Sequence, residues 1–139
     1  MSMTIHARKY FIAIGLFFTI GIMSSGSIAG TIDSQTAMKL LIGKTWAGKN
    51  AKGEAYWFWH EQGSDSGKFG AKFKSDAKGT SEHHGTWEIK SENVCWFWPA
   101  WKATHCYVKF DHEGDMLDMT RSDGQVHSGK LMDGNVEGL

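Results

Sequence analysis

Proline and cysteine are scarce in this sequence, which has 139 residues, one proline and two cysteines. Disordered exported segments are poor in aromatic residues, whereas 13% of this chain is Phe, Trp or Tyr. Because Cys95 and Cys106 are the two cysteines, a C-x-x-C motif is excluded, and so is a third cysteine that could act as a free nucleophile. The scarcity therefore excludes a disordered linker and several kinds of thiol chemistry.

Motifs of catalysis and metal binding are also lacking. There is no H-E-x-x-H and no G-x-S-x-G, and the glycines precede no helix that could hold a phosphate. His83 and His84 are adjacent, so in a strand they would point to opposite faces and could not easily share an ion. Met116 and Met119 could hold copper(I) with a histidine, but methionines in strands more often fill cores. We predict no catalytic residues, no metal site and no cofactor, and an enzyme or metal carrier is a minor alternative.

An excess of charge of one sign is absent too, since the chain holds 15 basic and 15 acidic residues. The first 29 residues include Arg8 and Lys9 but no acid, so the remainder is slightly acidic. Such a balance does not indicate nucleic acid or an anionic membrane surface as a partner. We expect neither nucleic-acid binding nor stable membrane insertion of the mature chain.

The N-terminal segment 1–29 has the pattern of a secretory signal peptide. Two basic residues precede an apolar run over 11–23, and Ser27 and Ala29 supply the small residues of a cleavage site before Gly30. An uncleaved anchor is the alternative, although the run is shorter than the roughly 20 residues of a spanning helix. We therefore predict a single mature domain over 30–139, located in the periplasm or secreted.

The stretch 94–110 predicts a hairpin at the centre of the fold. Its flanks, 94–98 and 106–110, are β-branched and aromatic, and Pro99 cannot donate to a sheet ladder, so the first flank should stop there. A symmetric hairpin places Cys95 opposite Cys106, near the Cα separation that a disulfide requires. In an exported chain such a pair is more often bonded than free. We predict a structural Cys95–Cys106 disulfide.

One helix and about eight strands are predicted for the mature chain. Residues 33–42 have apolar side chains at helical spacing, a capping Asp33 or Ser34, and Gly43 at the end. Short aromatic or β-branched runs separated by Gly- and Asp-containing turns follow at 45–47, 55–60, 68–74, 85–90, 94–98, 106–110, 116–120 and 126–132. This spacing predicts an all-β sandwich or an up-and-down barrel, and the short connections favour the antiparallel barrel.

Seven tryptophans are the strongest candidates for contact with a ligand. For most of them core filler is the favoured interpretation, because each aromatic side chain buries on the order of 150–250 Å². Strands 55–60 and 94–98 are aromatic on both faces, so their outer faces need cover from the helix, a partner or a ligand. Trp101 lies at the predicted hairpin tip, where burial is least expected. The ligand-binding residues that we predict are Trp57, Trp59, Trp87, Trp96, Trp98 and Trp101.

The order of these motifs resembles a family of small exported bacterial proteins of unknown function. Residues 41–46 read LIGKTW, 53–57 GEAYW and 85–89 GTWEI, followed by VCW at 94–96 and CY at 106–107. More distantly, the chain is similar to lipocalin-like (calycin) barrels, which place a short helical turn and a G-x-W at the first strand. The resemblance implies a lipocalin-like barrel and export, and it supplies no activity.

Two functions are compatible with these observations. The first is a non-catalytic binding protein for a small apolar or aromatic ligand, which the excess of tryptophan favours. The second is a protein-interaction module, for example an inhibitor that docks on a secreted or host enzyme through the Trp101 loop.

Overall fold

The computed structural model describes residues 30–139, and the predicted signal peptide lies outside them. Their elements, in chain order, are β1 Gly30–Ile32, α1 Ser34–Leu41, β2 Lys44–Lys49, β3 Ala55–His60, β4 Ser66–Ser75, β5 Gly79–Lys90, β6 Asn93–Trp98, a 3₁₀ turn Pro99–Trp101, β7 Ala103–Glu113, β8 Met116–Arg121 and β9 Val126–Asp133. Helix α1 is eight residues long, and no helix within 30–139 is long and apolar enough to cross a bilayer.

Eight of the strands form a closed antiparallel barrel, which confirms the predicted fold class. Each strand from β2 to β8 pairs with the next in sequence, and β9 pairs back with β2. This is the up-and-down topology that short connections impose. Strand β1 was not predicted, because three residues are too few to show an alternating pattern. It extends the sheet where β7 continues past β6, with Ile32 opposite Phe110.

The central hairpin has the predicted register. Cys95 lies opposite Cys106, their Cα atoms are 4.0 Å apart, and the two sulfurs are bonded. The 3₁₀ turn begins at Pro99. Strand β7 begins at Ala103, three residues earlier than predicted. Strand β5 begins at Gly79, six residues earlier than predicted, because its first half is polar and carries no hydrophobic signal.

Helix α1 closes one end of the barrel. The Asp33 side chain accepts a hydrogen bond from the Thr36 backbone N–H at 2.7 Å, which caps the helix. Its buried residues Ala37, Met38 and Leu41 belong to the same apolar cluster as the inward-facing residues of the strands. The sequence allows this helix to cover part of the outer wall, whereas in the structure its apolar face completes the interior.

Aromatic side chains cross the barrel interior over glycines. Trp46 of β2 extends over Gly129 of β9, and its indole N–H donates to the Leu117 carbonyl of β8 at 2.9 Å. A Cβ at Gly129 would lie 2.4 Å from Trp46 Nε1, a separation that real Cβ atoms do not show. The same arrangement places Trp87 against Gly67. These inward-facing glycines therefore provide the space in which large rings lie flat against the wall.

The segment 134–139 crosses the outer wall over β3. Its Gly134 carbonyl accepts a hydrogen bond from the Thr45 hydroxyl of β2 at 2.7 Å, and its Val136 N–H donates to the Thr45 hydroxyl oxygen at 3.1 Å. Glu137 pairs with Lys72 of β4 at 2.8 Å. Because β3 lies between β2 and β4, the segment passes over the outward-facing side of β3. It supplies part of the external cover that the aromatic outer face of this strand requires.

Candidate ligand-binding site

The interior opens to solvent at the end of the barrel opposite α1. Four hairpin connections surround this open end, namely those between β2 and β3, β4 and β5, β6 and β7, and β8 and β9. A cavity of about 160 Å³ lies there. An engineered apolar cavity of about 150 Å³ in another protein binds benzene, so a space of this size suits one aromatic ring.

One side of the cavity is an aromatic wall. Trp98 and Trp101 are stacked with ring centroids 4.7 Å apart and 27° between their planes. Phe58 meets Trp98 edge-on at 5.7 Å, and Phe73 lies 6.0 Å from Trp98. Trp46 and Tyr56 complete the wall. Because these rings contact one another, they form a preorganised surface on which a planar ligand can stack.

The other side is a polar wall. It is formed by Asn50, His105, Tyr107, Arg121 and His127. The Tyr107 hydroxyl and His127 Nδ1 are 2.7 Å apart and share a hydrogen bond. Arg121 lies opposite Tyr107 in the β7–β8 ladder and forms an ion pair with Asp123. The cavity therefore combines stacking surface with a small number of polar groups, as small-molecule sites usually do.

Burial sets the protonation of the polar wall. It lowers the pKa of both His105 and His127 below the usual 6.5, and the nearby Arg121 guanidinium lowers each further. Burial raises the pKa of Tyr107 and raises that of Tyr56 to about 12. At pH 7 both imidazoles and both phenols are therefore uncharged, and Arg121 is the charged group of the polar wall.

The six tryptophans predicted for the site fall in three places. Trp98 and Trp101 line the cavity, and Trp101 is 49% exposed at its rim. Trp87 and Trp96 are buried in the interior but do not line the cavity. Trp57 and Trp59 lie half-buried on the outer wall.

Sequence reasoning missed most of the lining. Phe58, Phe73, Tyr107, Arg121 and His127 are inward-facing residues in the parts of their strands that lie toward the open end. In this up-and-down barrel, each even-numbered strand ends and the next strand begins at the open rim. Extending the inward alternation to those strand ends would have identified them.

A buried histidine lies deeper in the barrel and outside this cavity. His60 is 0% exposed, and its Nε2 accepts the Trp96 indole N–H at 2.9 Å. Its Nδ1 has no hydrogen-bond partner among the described residues, and neither does Trp98 Nε1. Burial lowers the pKa of His60 to about 3, so this imidazole is neutral.

Within residues 30–139, no three His, Cys, Asp or Glu side chains are grouped as metal ligands. Comparison of the chain with protein-family models, with curated proteins and with solved structures gives no match. The resemblance to small exported bacterial proteins therefore stays a prediction, and the functional argument depends on the geometry of the cavity.

Proposed function

We propose that this protein is an exported, non-catalytic binding protein that holds one small aromatic molecule in the open end of its barrel. The observation that carries the proposal is the wall of Trp98, Trp101, Phe58 and Phe73 around a space of about 160 Å³. A ring that enters this space exchanges water for stacking contacts on preformed aromatic faces. The Cys95–Cys106 disulfide is compatible with export, because such bonds persist outside the reducing cytosol.

The test is a titration of the purified chain with toluene, phenol and indole, followed by tryptophan fluorescence and calorimetry. Binding should quench fluorescence in a saturable manner and raise Tm, since a ligand at 100 times its Kd stabilises the native state by about 2.7 kcal/mol. Trp101→Ala should weaken binding at least tenfold, because it removes one face of the wall. Trp57→Ala is the matched control, because it removes an outer-wall indole and should leave affinity unchanged. Absence of saturable binding across the panel would overturn the proposal.

A second candidate is a protein-interaction module that acts through the hairpin tip. The observation that favours it is the exposure of Trp101, since tryptophan is enriched among the residues that dominate the binding energy of protein interfaces. Here, however, the ring is stacked on Trp98 and lies 4.7 Å from His83, so it is already part of the cavity rim. Two results together would support this second function. A partner protein would bind the wild-type chain but not Trp101→Ala, and no single-ring ligand would bind the wild-type chain.

A further inference from the structure

We infer that the ligand of this cavity is a small aromatic carboxylate whose anionic group is bound by Arg121. The inference rests on the proposed function, because it assigns the ligand class of the same cavity. Arg121 continues the inward alternation of Leu117 and Met119 on β8, so its side chain enters the interior at the open end. The Asp123 carboxylate pairs with one N–H group of this guanidinium, and the same arginine lines the aromatic cavity, where it offers a positive group to an anionic ligand.

The guanidinium has donors available for such an anion. It carries five N–H groups, and among the described residues Asp123 is the acceptor recorded for it. Asp123 lies in the β8–β9 turn, and its carboxylate accepts from one Arg121 N–H group. Because Arg121 lines the cavity, we expect its other N–H groups to form the two parallel hydrogen bonds that a carboxylate accepts from arginine.

The two walls are close enough for one molecule to use both. His105 of the polar wall is 6.3 Å from Trp98 of the aromatic wall, centroid to centroid. A single ring stacked on Trp98 would therefore direct a short substituent toward the polar wall. His105 adds a neutral hydrogen-bonding group near that position, because burial lowers the pKa of its imidazole below 6.5.

The distribution of charge along the barrel axis also favours an anion. The four connections at the open end, each taken together with the one strand residue on either side of it, hold five basic and three acidic side chains. The three at the opposite end hold one basic and five acidic side chains. Lys49, Lys52 and Lys78 line a groove that adjoins the cavity at Asn50 and His127. An anion that approaches the open end is attracted, and a cation is repelled.

Three ligands of nearly identical shape test the inference, namely benzoate, benzamide and benzamidine, which carry negative, zero and positive charge. At pH 7 and low ionic strength, calorimetry should give benzoate an affinity at least tenfold above that of benzamide, and benzamidine the weakest of the three. Arg121→Gln should reduce the affinity for benzoate at least tenfold and that for benzamide by less than threefold. Arg121→Lys should retain part of the preference, because it keeps the charge but not the two parallel donors.

Lys90→Gln is the matched control, since it removes an exposed cation from the opposite end of the barrel and should change neither affinity. Equal affinities of wild-type protein for benzoate and benzamide would overturn the inference while leaving the proposed function intact. Preferential benzoate binding that survives in a folded Arg121→Gln variant would also overturn it, because another group would then bind the anion. Failure of the wild-type chain to bind any ring, charged or neutral, would overturn the proposed function itself.

Discussion

The indole N–H of Trp96 donates a hydrogen bond to Nε2 of His60, 2.9 Å away in the barrel interior. Because Nε2 accepts, the proton of the neutral imidazole lies on Nδ1. Protonation of Nε2 would break this bond and place an uncompensated charge among apolar side chains. The two residues therefore make the stability of the barrel depend on pH.

His60 should cause a loss of stability in mild acid. Its pKa is about 3 in the folded protein and 6.5 in the unfolded chain, so between these values the unfolded state binds a proton that the native state does not. Its contribution is therefore constant above pH 6.5 and falls below it by up to about 1.4 kcal/mol per pH unit. Urea denaturation at pH 7 and pH 5 should show this loss in wild-type protein, and His60→Gln should reduce it.

His84→Gln is the control for this experiment, because His84 is exposed beside Glu82. His105 and His127 also have a lowered pKa, so His60→Gln should retain a residual slope of the same sign. An unchanged difference in unfolding free energy between pH 7 and pH 5 in His60→Gln would show that His60 is not the acid-sensitive group.

Gly129→Ala should destabilise the barrel by about 3 kcal/mol. The added methyl group would lie 2.4 Å from Trp46 Nε1, which would displace the indole and break its bond to the Leu117 carbonyl. Overpacking and the loss of a buried hydrogen bond each cost about 1–3 kcal/mol. Chemical denaturation measures the cost, and Gly30→Ala is the control, since a Cβ at Gly30 meets no atom within 4 Å. Equal stability of the two variants would contradict the role assigned to Gly129.

Replacement of both cysteines should destabilise the chain without removing the cavity. The Cys95–Cys106 bond closes a short loop, which corresponds to about 3 kcal/mol in the chain-entropy account. Neither cysteine lines the cavity. The variant Cys95→Ala/Cys106→Ala should therefore unfold at lower urea concentration than wild-type protein but bind the same ring at low temperature. Alkylation of both cysteines in the native, unreduced protein would show that the bond is absent.

Acid should strengthen the binding of an anionic ring but not of a neutral one. The pKa values of His105 and His127 lie below 6.5, so both imidazoles are uncharged at pH 7 and gain positive charge as the pH falls. The positive charge of Arg121 opposes protonation of the two histidines, and the negative charge of Asp123 favours it. The negative charge of a bound carboxylate would favour it further. The ratio of benzoate to benzamide affinity should therefore rise from pH 7 to pH 5, where benzoate is still mostly ionised. His127→Gln should reduce the rise, and a falling ratio would contradict the prediction.

The scaffold was largely predictable from local chemistry. Pro99 fixed where one strand must stop, and from that point the symmetry of the hairpin placed Cys95 opposite Cys106. Asp33 and Gly43 marked the ends of the helix. Turn residues at regular spacing predicted the meander, because their conformational preferences are local and need no knowledge of the tertiary structure.

The site was much less predictable, because it depends on where each strand ends. Trp98 and Trp96 lie on the same face of one strand and look alike in sequence, yet only Trp98 lines the cavity. Arg121 reads as a polar residue beside a turn, and only closure of the barrel places it opposite the aromatic wall. Residues 134–139 cover β3, yet no hydrophobic pattern in the sequence predicts this. They are attached through backbone groups that bond the Thr45 hydroxyl and through one ion pair.

The helix and the cavity occupy opposite ends of the barrel, so the helix residues that close one end are not among those that line the cavity. Residues 101, 105, 121 and 127 could therefore be randomised together in a library while the capped end keeps its sequence. Selection from such a library would yield receptors for other single-ring compounds on one unchanged framework.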